Sequence, residues 1–192
     1  MNTNEFEYYL IDRENNDNYP LLEQDDDCPS YQHIKEYIEN PEIMEFYLGD
    51  PVPRKPQMVD YHSMPYSIVS EKIYNVLNNL KINGIQLIPS VITGKKKEKY
   101  DNYWYIHIYN RYAAMDRKNS RYNWVESIKV ANPIMKLFLD NKYLKTISLE
   151  DRLVFRLQEN STKQLYHKSV VDAIMATEPI GIRFVKVEDY HI

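Results

Sequence analysis

The chain has only four glycines, Gly49, Gly84, Gly94 and Gly181, and two of them stand at the same point of two similar stretches. When Ile68–Pro89 is set against Leu165–Lys186 without gaps, Ile73 meets Val170 and Leu77 meets Ile174. Gly84 then meets Gly181, Ile85 meets Ile182, Leu87 meets Phe184 and Ile88 meets Val185. Each stretch reads as an amphipathic helix, a glycine stop and a strand. A glycine recurs because the reversal from helix to strand needs a residue free to adopt positive φ. The apolar positions recur because both units bury the same faces. Identical residues are few, so the echo is one of structure.

The remaining elements follow from periodicity and punctuation. Residues 4–11 alternate and then turn continuously apolar, which predicts a first strand. Residues 12–30 are polar and acidic with Pro20 and Pro29, and read as loop. Ile34, Tyr37 and Ile38 lie at helical spacing, so residues 31–39 predict a short helix ended by Pro41. Residues 45–48 predict a short strand, and Pro51, Pro53 and Pro56 an extended connection. Ser70 predicts an N-cap for a helix over 71–80 that Asn83-Gly84 ends. Strands are expected at 85–88, 103–109, 125–130, 134–140, 154–157 and 182–185, and a last helix at 168–176. Residues 94–101 read as a basic turn. The elements predict an α+β fold, a mostly antiparallel sheet packed against about three helices. A length of 192 residues fits a single domain. Within it, residues 1–50 form an acidic segment, 51–66 a proline-rich connection and 67–192 the main body.

Catalytic and cofactor motifs do not emerge. The single cysteine, Cys28, excludes an intramolecular disulfide and a multi-cysteine metal site. Its neighbours Asp25, Asp26 and Asp27 disfavour a thiolate. None of the five histidines is paired at metal-ligand spacing. His107, inside an aromatic strand, reads as a structural histidine. Four glycines cannot build a phosphate loop, and a Gly-x-Ser-x-Gly elbow is missing. The residues therefore give no catalytic group, no metal ligand and no cofactor. Lys95, Lys96, Lys97 and Lys99 beside Tyr100, Tyr103, Trp104 and Tyr105 raise nucleic acid as a ligand. A sequence pI of about 5.8 and the look of a solvated hairpin tip argue against it. No apolar run reaches a membrane span, and the opening residues lack the pattern of a secretory signal, so a cytoplasmic protein is expected.

Charge is divided unevenly. Residues 1–50 carry 14 Asp and Glu against 2 Lys and Arg, while residues 51–192 carry 14 against 22. The first segment is thus at −12 and the rest at +8. One explanation is that the acidic segment folds back on the basic remainder. The other is a partner. Asp25, Asp26, Asp27, Glu36, Glu39, Glu42, Glu45 and Asp50 would make a negative face that steers a basic protein into contact, such as a nuclease with a basic cleft. Trp104, on the aromatic strand, is the second candidate contact.

Several runs, in order along nearly the whole chain, resemble immunity protein family 11 of bacterial polymorphic toxin systems. They are Tyr8–Ile11, Ser67–Ile73 with Leu77 and Asn83–Pro89, Tyr103–Asn110 with Ala113–Asp116, Leu153–Leu157, and His167–Phe184. The resemblance implies a small cytosolic protein that binds its own toxin and blocks the active site or an essential surface, without catalysis or cofactor. An adaptor for another protein, and an enzyme whose site is assembled from distant residues, are the alternatives.

Overall fold

The structure is a computed structural model that describes residues 3–191. In chain order it contains β1 (Tyr8–Arg13), β2 (Leu22–Glu23), β3 (Met44–Leu48), β4 (Tyr61–His62), β5 (Ile68–Ser70), α1 (Glu71–Leu80), β6 (Ile85–Thr93), β7 (Lys99–Ile108) and β8 (Arg111–Tyr112). These are followed by β9 (Arg121–Val125), β10 (Val130–Lys136), α2 (Asn141–Leu144), β11 (Val154–Leu157), β12 (Asn160–His167), α3 (Lys168–Met175) and β13 (Ile182–Lys186). The fold is α+β, as the sequence predicts. One sheet runs β13-β1-β12-β11-β8, a second runs β2-β3-β6-β7-β5-β4, and β9 and β10 form a hairpin.

The two glycine-ended units prove to be parts of a larger repeated arrangement. In the first, β5 leads into α1 and then β6, and β7 lies between β5 and β6, antiparallel to both. In the second, β12 leads into α3 and then β13, and β1 lies between them, antiparallel to both. The pairing registers agree residue by residue. Ser70 faces Tyr103 as His167 faces Tyr8, and Val69 faces Trp104 as Tyr166 faces Tyr9. Ile85 faces Ile108 as Ile182 faces Arg13. The match extends to a fourth strand, since Tyr61 of β4 faces Val69 as Val154 of β11 faces Tyr166. Each unit is a split strand–helix–strand motif.

These units bury their helical stripes against one another. Ile73 and Leu77 of α1 and Val170, Val171 and Ile174 of α3 share one apolar cluster with Val69, Ile106 and Ile108 from one sheet and Val154, Tyr166 and Ile182 from the other. A second cluster, with Tyr8, Phe155 and Leu165, lies under the β9–β10 hairpin. The third, with Met44, Phe46, Ile88 and Tyr105, lies on the opposite face of β7, beneath the acidic segment.

Several local expectations need correction. Residues 31–39 do not form a helix. They make a strap whose backbone groups are satisfied by side chains of the sheets instead of by helical bonds. Gln86 exchanges two 3.0 Å hydrogen bonds with the N–H and carbonyl of Ile38, the His107 Nε2–H donates to the Glu36 carbonyl at 2.9 Å, and Arg111 donates to the Gln32 carbonyl at 2.9 Å. The third helix is instead α2, capped by the Asp140 carboxylate on the amides of Lys142 and Tyr143. The expected strand at 125–130 is largely the turn between β9 and β10, because Lys129 adopts a positive φ of 55° and Val130 pairs back with Val125. The expected strand at 134–140 begins earlier, as β10, and stops at Lys136. The first strand starts at Tyr8, after a 3-10 turn over Thr3–Phe6, and runs on to Arg13. Within 12–30, the expected loop contains β2.

The α1 boundaries are also made differently. Ser70 occupies the N-cap position, but its hydroxyl donates to Asp60 at 2.6 Å and does not cap. Lys81, with φ 48°, stops the helix, and Gly84, with φ +81°, turns the chain into β6.

Candidate functional site

The eight acidic candidates are all exposed, and the local folding around them explains why. Leu22 and Tyr31 anchor in the third cluster, together with Met44, Phe46 and Leu48 of β3. Between Leu22 and Tyr31 the chain has no large apolar side chain to bury, so the carboxylates of Asp25, Asp26 and Asp27 turn to solvent. A bond from the Cys28 N–H to the Asp25 carbonyl at 3.0 Å closes the turn. Glu36 and Glu39 ride on the strap pinned by Gln86, His107 and Arg111. Glu42 follows where its N–H donates to the Tyr31 hydroxyl at 3.0 Å. Glu45 faces outward from β3, whose burial alternates with Met44 and Phe46 inside.

Asp25 and Asp26 border a pocket of about 470 Å³, together with Glu23. Its apolar lining is Leu22, Tyr47, Met64, Pro65 and Tyr66. Tyr47 stands opposite Glu23 across the β2–β3 pair. Burial, and then the negative charges of Asp25, Glu23 and Asp26, push its phenol up from its ordinary value. Asp50 joins the same patch, because its N–H donates to the Glu23 carboxylate at 3.2 Å. The pocket therefore offers carboxylates over apolar walls. That combination suits the alkyl stem and cationic head of a lysine or arginine. Glu23, Tyr47, Met64 and Tyr66 are not legible as site residues in the sequence. They come from β2, β3 and the β4–β5 connection, which only the sheet brings together.

Trp104 does not join this surface. It sits on the other face of β7, half-buried, stacked on Tyr74 of α1 with ring centroids 4.2 Å apart and planes at 22°. The lysines at 95–97 form a solvated hairpin tip between β6 and β7, closed by the Gly94 N–H to Glu98 carbonyl bond at 2.8 Å.

The perturbed groups in the interior are tied to structural partners. His62 is buried, and desolvation pushes its imidazole down to about 4. Its Nδ1–H donates to the Pro20 carbonyl at 3.2 Å. His107 is likewise held down, first by burial. Burial alone would raise Asp60, but bonds from Ser70, the Ile180 N–H and Lys72 hold its carboxyl below the usual range. Burial raises Glu159, whose nearest cation is Arg117 at 3.8 Å. Among the described residues no group of three or more His, Cys, Asp or Glu is placed to hold a metal ion. Among them, too, no helix is long and apolar enough to cross a membrane.

Paired split strand–helix–strand units, with exposed carboxylates around a pocket between β2–β3 and the β4–β5 connection, define a small α+β protein. The chain belongs to the immunity protein family (Imm11), whose model matches residues 6–189. No curated protein matches it.

Proposed function

We propose that this is a cytoplasmic immunity protein that binds a cognate toxin and neutralises it stoichiometrically, by covering the active site or an essential surface. The observation that carries the reading is membership of an immunity family over residues 6–189. The acidic segment from Asp25 to Asp50 contributes the contact. Its carboxylates are exposed, and three of the patch, Glu23, Asp25 and Asp26, rim a pocket with apolar walls, a combination that supports contact with a basic side chain. A toxin with a basic cleft, as a nuclease would have, is the partner this surface complements. Covering such a cleft needs no catalysis and no cofactor from the immunity protein.

The test is a toxicity rescue. The toxin domain encoded beside this gene is expressed with and without the protein, and complexes are sought by co-purification. Rescue with a 1:1 complex is the expected result. Absence of both overturns the reading in favour of an adaptor for another protein.

A further inference from the structure

Two arginines lie side by side where the sheets meet, without an acidic partner. Arg156 of β11 and Arg111 of β8 face each other in register. Arg156 is only 3 % exposed, and neither arginine forms an ion pair among the described residues. Arg156 donates to the Ser161 carbonyl at 2.9 Å, and Arg111 to the carbonyls of Gln32 and Ile34 at 2.9 and 3.4 Å. Neutral carbonyls do not balance two positive charges. The Nε–H groups of both arginines are buried and have no acceptor, and the Tyr105 hydroxyl, on a side chain with no exposure, has no partner. Both guanidinium charges act on the same two side chains, Tyr105 and His107, and on one another, which places the four in one cluster.

A buried cation without a counter-ion, as Arg156 is, is costly, and the half-buried Arg111 beside it adds repulsion. Buried donors in folded proteins are almost always satisfied. We propose that a small inorganic anion, a halide or a phosphate-like oxyanion, binds between the guanidinium groups of Arg111 and Arg156 against the Tyr105 hydroxyl. The anion supplies the missing negative charge and accepts from donors that the chain leaves unpaired. The site lies beneath the strap at 31–39, which Arg111 and His107 tie down, so its occupancy fastens the segment carrying Glu36 and Glu39.

The experiment uses the full-length protein. Thermal melting is followed at constant ionic strength while sodium gluconate is exchanged for sodium bromide or for inorganic phosphate. One of the two anions gives a saturable rise of about 3–6 °C at roughly tenfold its dissociation constant, and the anion that does so identifies the class. Arg156→Met abolishes the rise. If that variant does not fold, crystals of the unaltered protein grown in bromide and in phosphate give the same decision. An anomalous peak in contact with Arg111 and Arg156, or phosphate density there, supports the site. Melting that is equal in all three salts, or anions bound at surface lysines only, overturns it.

Discussion

Gly84 and Gly181 hold one backbone conformation at equivalent points of the two split units. Their φ angles are +81° and +80°. The Gly84 carbonyl accepts from the Tyr109 N–H at 3.0 Å, and the Gly181 carbonyl accepts from the Glu14 N–H at 3.2 Å. In each unit this bond continues the ladder between the strand that follows the glycine and the strand inserted beside it. The two sites differ in their surroundings. A Cβ at Gly84 would strike the Asn110 side chain, whereas one at Gly181 would lie 2.5 Å from the Cβ of Val59.

That difference predicts unequal costs of substitution. Gly84→Ala pays for left-handed backbone and for moving Asn110, about 1–2 kcal/mol. Gly181→Ala adds overpacking against a Cβ that cannot rotate away, for about 2–4 kcal/mol. Urea unfolding of both variants gives the comparison.

Asp60 joins the two units. Its carboxylate accepts from the Ser70 hydroxyl at 2.6 Å, the Ile180 N–H at 2.9 Å and Lys72 at 3.0 Å. Asp60→Ala leaves the first two donors unpaired and destabilises by about 2–3 kcal/mol. Lys72 is 42 % exposed, so its share is small. Because the folded carboxyl is held below its ordinary value of 3.8, its contribution is complete above that value and is lost as pH falls through the folded value. Denaturant midpoints between pH 5 and pH 2.5 are therefore less pH-dependent in the variant, a window of roughly these limits.

His62 sets a different window. Its imidazole falls from 6.5 in the unfolded chain to about 4 in the fold. The unfolded state alone takes up a proton between these values, so stability is full above 6.5 and declines as pH falls toward 4. The loss is roughly 2–4 kcal/mol. His62→Gln flattens this slope, as measured by urea unfolding from neutral pH downward.

The acidic surface is tested by kinetics. Changing Asp25, Asp26 and Asp27 together to lysine lowers the association rate with the toxin by roughly tenfold or more at low salt. The difference from the unaltered protein shrinks as salt screens the exposed charges. Stopped-flow association at several salt concentrations measures it, and an unchanged rate would sink the proposed contact.

Much of this fold is legible in the sequence because its signals are local. The stripes of α1 and α3, the strands around Ile85 and Ile182 and the positions of Gly84 and Gly181 follow from side-chain period and backbone freedom. The exposure of Asp25, Asp26 and Asp27 is legible for the same reason, since a run of three carboxylates stays wet. The sequence by itself thus determined the two units, the α+β class and the exposure of Asp25, Asp26 and Asp27. Tertiary structure decided what depends on groups distant in the chain. Residues 31–39 have the period of a helix, yet Gln86, His107 and Arg111 satisfy their backbone from outside, and those bonds replace helical ones. The register that makes β4, β5 and β7 equivalent to β11, β12 and β1, the pocket that joins Glu23 to Tyr66, and the pairing of Arg111 with Arg156 exist only once the sheets assemble. No local pattern encodes them, because each is a contact between strands whose neighbours are chosen by packing.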